Sequence, residues 1–306
     1  MIAGRDSKAE QGDSDVNALT KEDQRPIPAS AIAAVKPAAT VPSARRRPRF
    51  LSLGVLTRYL SPVLLIVVWQ VACSTGLLST RLMASPVQII AEAWSLTLDG
   101  TLPSNLGVSL GRAGAGLAIA ILAGVSLALI AGLSRIGEDV IDAPLQIMRT
   151  LPALALVPLF ILWFGIGEAP KIIMVALGST FPIYLNLHKG IRSIDPKLLE
   201  MACTLGLTRV QTIREVILPG ALPDFLVGLR FAVGISWLML VVAEQVNADS
   251  GIGHMMIDAE DFMRTDIILV GLLVYGLLGL VSDQIVRQLE SALLSWRPSN
   301  RPSRSR

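Results

Sequence analysis

Residues 113–134 carry no charged side chain, and Arg112 and Arg135 stand at the two ends of the run. As an α-helix such a stretch is about 30 Å long, the thickness of a bilayer's hydrocarbon core, and it satisfies its own backbone hydrogen bonds. Further apolar stretches lie at roughly 60–79, 150–167, 172–187, 225–243 and 267–282. Composition agrees with a membrane protein: of 306 residues, 52% are hydrophobic and only 17% charged, with a mean hydropathy of +0.58. The expected fold class is all-α, a polytopic membrane protein with six transmembrane helices.

Cytoplasmic loops retain Lys and Arg, so the loops set the orientation. With the N-terminus inside, segments 45–58, 135–149, 188–224 and 283–306 hold 17 basic residues, against 4 in segments 80–112, 168–171 and 244–266. Both termini and the 188–224 loop are therefore expected in the cytoplasm. The net charge of +3 follows from this topology. The basic residues form no single stripe with aromatics, so no nucleic-acid partner is expected, only the lipid bilayer. Residues 1–44 lack aromatics and are rich in Ala, Pro, Ser and charge, too little apolar surface to offset the entropy of ordering. The expected division is a disordered cytoplasmic tail at 1–49 with a basic end, a membrane domain at 50–297 and a basic cytoplasmic tail at 298–306. No signal peptide is expected, because Asp6, Glu10, Asp13 and Asp15 occupy the place of a basic n-region.

In the second apolar stretch Gly116, Ala120, Gly124, Ala128 and Gly132 recur at every fourth position. A smooth face of small residues lets another helix approach closely, within one subunit or, the less favoured reading, between subunits. Gly228, Ala232 and Ser236 repeat the pattern in the fifth stretch, and Pro152 and Pro158 are expected to bend the third.

Between the fourth and fifth stretches lies a polar insert, about 195–219. Asp195 before Pro196 reads as a helix start, with Leu198, Ala202 and Leu205 on one face and Gly206 as the stop. Thr208 and Gln211 have capping-box spacing, so a second helix should begin there and close at Leu218-Pro219. Two short helices about a Gly turn also occur in DNA-binding helix-turn-helix units. Tethering by crossing helices on both sides argues against that use and for docking onto a partner protein.

The spacing Glu200-Met201-Ala202-x3-Gly206-x9-Val216-x-Leu218-Pro219 resembles the EAA motif of permease subunits in bacterial ABC importers. Met201 replaces the usual Ala and Val216 the usual Ile, both tolerable apolar changes. The resemblance runs from about Leu60 to Trp296, and Gly132-Leu-Ser-Arg, Ile161-Leu-Trp-Phe-Gly-Ile, Phe181-Pro-Ile-Tyr and Asn247-Ala-Asp-Ser-Gly-Ile-Gly resemble the aliphatic-sulfonate branch, which also holds taurine and nitrate permeases. It implies a type I (MetI-like) ABC importer transmembrane domain in a bacterial inner membrane. It also implies pairing with a second copy as a homodimer, cytoplasmic ABC ATPase subunits and an extracytoplasmic solute-binding protein. Glu200, Met201, Ala202, Gly206, Leu218 and Pro219 would contact the ATPase.

No ATP site of the chain's own is expected, because none of the six lysines lies in a phosphate loop. Neither catalytic residue, metal nor cofactor is expected. His188 and His254 fall at opposite membrane faces, and Cys73 and Cys203 in different compartments. Three residues are candidates for a pathway or gate: Arg230, Trp237 and Glu244, at roughly 9, 20 and 30 Å along a helix from Asp224. Arg230 could meet an anionic solute, snorkel to head groups or form a structural pair. Glu244 would repel an anion, so a gate or packing role suits it better. A stand-alone secondary carrier is the other class, but no convincing inverted repeat relates 60–187 to 225–282.

Overall fold

The computed structural model describes residues 53–79 and 83–296. The expected tails at 1–49 and 298–306 lie outside the described residues. The chain divides after Thr57 into two units, and the helical bundle belongs to the second. Among the described residues all regular structure is helical: α1 Leu53–Ser74, α2 Pro86–Leu98, α3 Thr101–Leu133, α4 Arg135–Thr150, α5 Ala153–Phe164, α6 Glu168–Arg192, α7 Pro196–Thr204, α8 Arg209–Thr212, α9 Leu218–Asn247, α10 Ile252–Asp261 and α11 Thr265–Leu293.

Four helical segments are long and apolar enough to cross a membrane: Thr101–Leu133, Glu168–Arg192, Arg209–Val246 and Thr265–Leu293. A fifth crossing arises if α4 and α5 count as one span broken by a 113° bend, and Leu60–Ser74 is a shorter apolar helix. The expected third span, 150–167, is thus not a straight helix. Leu151 is extended, with φ −74° and ψ 130°, because the residue before a proline is driven from the helical region. Pro152, itself extended, stands at the position just before α5.

The small-residue ridge of α3 packs on α6. A Cβ built on Gly116 would lie 2.6 Å from Val175 Cβ, one on Gly124 2.8 Å from Ile183 Cγ2, and one on Gly132 2.8 Å from Ile191 Cγ2. The contacts advance by two turns on both helices together, so α3 and α6 run parallel, each glycine receiving a β-branched side chain. Ala120 and Ala128 between them are fully buried. On its other face α6 meets α9 in antiparallel sense. Gly228 approaches Pro182 O, Gly190 approaches Asp224 and Ala221, and Ser179 Oγ donates to Ala232 O at 3.2 Å. A larger core joins α2, α3, α9, α10 and α11 through Ile89, Leu96, Ala113, Leu226, Leu240, Ile252, Met256 and Val270. Outward positions such as Leu64, Leu122, Leu162 and Leu280 are exposed, an apolar exterior suited to lipid.

Candidate functional site

The polar insert folds through local signals. Asp195 caps α7 by accepting from Lys197 N at 2.9 Å, with Pro196 in the first turn. Gly206 ends it with φ +73°, donating to Cys203 O, while Leu207 N donates to Ala202 O. These are the paired bonds of a Schellman stop, which uses a left-handed residue just past the helix. Nothing lies within 4 Å of a Cβ built on Gly206, so backbone strain, not crowding, selects glycine there. Thr208 and Gln211 form a reciprocal capping box.

The end of the insert differs from expectation. Leu218-Pro219 does not close the second helix. α8 is one turn long, a π turn spans Ile213–Ile217, and Leu218 N bonds Ile213 O before α9 continues through Pro219. In an α-helix the proline ring would press on the carbonyl four residues back; the wider π turn moves that carbonyl aside. The insert is therefore fused to a span, leaving no free recognition helix. Ala202 is fully buried, but Leu198, Met201, Leu205 and Val210 are 45%, 52%, 70% and 73% exposed. Of the face expected from Leu198, Ala202 and Leu205, only Ala202 packs on this chain. Glu200 is exposed beside it.

At the opposite end of the bundle lies a buried charge network. Glu244 on α9, 1% exposed, accepts from Arg112 Nη1 at 2.8 Å, Ser109 Oγ at 2.8 Å, Tyr275 OH at 2.9 Å and Gly253 N at 2.9 Å. Arg112, 3% exposed, also makes a two-pronged pair with Glu168 at 2.6 and 2.7 Å, and Lys171 reaches Glu168 at 3.2 Å. Gly251, with φ +110°, sits where a Cβ would strike the Glu244 carboxylate. The network joins α3, α6, α9, α10 and α11.

Sequence reasoning placed only Glu244 of this set among the candidates. It took Arg112 as the flank of a span, whereas α3 begins at Thr101 and carries Arg112 inside it. The usable signal was a pair of opposite charges at the same end of two expected spans. Trp237 is buried, donates Nε1–H to Ser282 Oγ at 3.1 Å and packs edge-on against Tyr275. Arg230 pairs with Asp283 at 2.5 Å on a half-exposed flank between α9 and α11. The three pathway candidates do not converge on one cavity. His188 stacks on Tyr184 within α6, and His254 faces Asp258.

Residues 117–295 match the family described as the binding-protein-dependent transport system inner membrane component. The chain is 47% identical over 238 residues to the putative aliphatic sulfonates transport permease protein SsuC of Escherichia coli (strain K12), covering 78% of this chain and 90% of that protein. It is 40% identical over 263 residues to the protein of the same name from Bacillus subtilis (strain 168), covering 86% and 95%. Among solved structures, one titled as an amino acid ABC transporter with histidines superposes with a TM-score of 0.54 at 19% identity, covering 64% of this chain and 95% of that one; this shows a shared fold. The chain belongs to the family of inner membrane permease components of binding-protein-dependent ABC transport systems.

Proposed function

We propose that this chain forms the translocation path of an ATP-driven importer for small organic anions, aliphatic sulfonates first among them. It acts as two copies in a bacterial inner membrane, with both termini in the cytoplasm. ATPase subunits dock on the insert, and an extracytoplasmic solute-binding protein delivers the anion at the Glu244 end. One observation carries the coupling: a capped helical knob that continues directly into a membrane helix while leaving Leu198, Met201, Leu205 and Val210 exposed. Apolar side chains held in water at such a point suit a groove on a partner. The solute class rests on the two sulfonate permeases to which the chain is similar.

The geometry gives the knob mechanical purchase. α6 enters it and α9 leaves it, and the two are packed antiparallel along small residues. A push on the insert therefore reaches both helices together, with the Glu244 network as the opposing anchor. In this reading Glu244 and Trp237 hold the bundle, and Arg230, neutralised by Asp283, offers no net charge to a solute.

Gly206→Val or Glu200→Lys, both outside the spans, should leave membrane insertion intact. A side chain at Gly206 costs roughly 1–2 kcal/mol of backbone strain, and the Glu200 change reverses charge on a docking face. The expected result is weaker ATPase co-purification and uptake reduced at least about tenfold at matched permease levels, since a few interface residues dominate affinity. Normal uptake in both variants would remove coupling from the insert. In the same vesicles, labelled alkanesulfonate should enter faster than taurine or nitrate; uptake of nitrate alone would overturn the solute assignment. For topology, a reporter after Arg306 should be cytoplasmic and a tag at Asp249 reachable from outside. Labelling of Asp249 only in disrupted membranes contradicts that orientation.

A further inference from the structure

A cavity of about 280 Å³ lies among α4, α5, α6 and α9, bounded by Leu156, Phe160, Leu177, Phe181 and Met239 and, at one place, by Arg149. Arg149 is the one polar side chain among its lining residues. The arginines that join helices elsewhere in the bundle face carboxylates: Arg112 meets Glu168 and Glu244, Arg192 meets Glu138, Arg230 meets Asp283 and Arg264 meets Glu92. No described carboxylate lies within ion-pair distance of Arg149. The wall extends along α6 from Met174 to Leu185, about 16 Å of helix. Phe160 clusters with Met174, whereas Leu145 of α4 clusters with Leu185, which puts the cation toward the knob end.

We infer that this cavity is a solute site within the membrane domain, the apolar wall taking the alkyl chain of an alkanesulfonate and the Arg149 guanidinium its sulfonate. A guanidinium is weakly hydrated and presents a fork of donors that can engage two oxygens of a tetrahedral anion at once, so it binds an anion at an apolar edge better than a hydrated ammonium does. The volume is at the small end of ligand pockets, right for a short-chain solute. Met148, Arg149 and Leu151 at the bend between α4 and α5 line the cavity, and α6 and α9, which also line it, both adjoin the insert. Movement of the knob would change its width and so release the anion. This site rests on the sulfonate reading of the permease. A lipid phosphodiester offers the same chemistry, an anionic head on an aliphatic tail, and the test separates the two.

The test is binding of labelled octanesulfonate to the purified permease–ATPase complex in phosphatidylcholine nanodiscs, with and without phosphatidylglycerol, and without the binding protein. Competing alkanesulfonates should gain up to about fourfold in affinity per methylene until the cavity is filled. Arg149→Gln should weaken binding about tenfold, Arg149→Lys should restore part of it, and Leu177→Phe should move the optimum to shorter chains. Unchanged affinity in Arg149→Gln, or a chain-length profile untouched by Leu177→Phe, overturns the site. A loss in Arg149→Gln that appears only with phosphatidylglycerol assigns the cation to lipid and also overturns it. A parallel uptake assay with the binding protein separates the two readings. If the parent complex imports no alkanesulfonate, the function and the site fall together; if it imports them and binding ignores Arg149, the site alone falls.

Discussion

Glu244→Ala is expected to destabilise the folded bundle by about 3–5 kcal/mol, the cost of breaking a buried ion pair from one side. The carboxylate is 1% exposed and accepts from Arg112, Ser109, Tyr275 and Gly253 N at 2.8 to 2.9 Å. Its removal takes one of two carboxylates from a guanidinium that is 3% exposed, leaves Glu168 and Ser250 as its partners among the described residues, and deprives a phenol and a backbone N–H of the acceptor they share. Asp283→Ala is the matched control, since its pair with Arg230 has side chains 33% and 40% exposed and solvent screening holds such pairs to about 0–1 kcal/mol. Thermal unfolding of the detergent-solubilised permease, read as the surviving monodisperse fraction, should separate the two variants clearly. Equal stability would mean that the Glu244 network contributes little and does not anchor that end of the bundle.

The network also marks where sequence reading runs out. Arg112 and Glu244 are 132 positions apart, and no local pattern states which of several charges near span ends will meet. The insert is the contrary case: Asp195, Gly206, Thr208 and Gln211 act within a few residues of themselves, so spacing alone identifies caps and turn. Leu218-Pro219 misleads for a reason in the same region. Proline reads as a stop under α-helical geometry, but the π turn at Ile213–Ile217 changes the register, and nothing in the local residue types announces it. Likewise an apolar stretch at 150–167 has the composition of a span, and the Leu151-Pro152 junction decides its path. The α3 ridge is legible as a smooth face because small residues recur every four positions, yet the matching row Val175, Ile183 and Ile191 on α6 looks like ordinary apolar helix.

That matching row makes Gly124→Leu the second change of large effect. A first side-chain atom at residue 124 would already lie 2.8 Å from Ile183 Cγ2, 2.9 Å from Ile183 Cβ and 3.1 Å from Thr180 O. Ile183 is itself fully buried and cannot swing away, so α3 and α6 must separate along the whole parallel contact. Leucine improves intrinsic helix propensity by roughly 0.7–1 kcal/mol over glycine, while overpacking of a close-fitted interior costs typically 1–3 kcal/mol and more when backbones must move. The unfavourable contribution wins, and Gly124→Leu should accumulate poorly and melt early. Gly114→Leu on the same helix is the control, because nothing lies within 4 Å of a Cβ there; it receives the propensity gain without the clash and should accumulate like the parent. Adding Ile183→Ala to Gly124→Leu vacates the volume the leucine needs and should recover part of the loss, a non-additivity expected only of residues in direct contact. If Gly124→Leu and Gly114→Leu are equally well tolerated in membranes, the ridge is not a packing face and the α3–α6 contact is not what holds the bundle's centre.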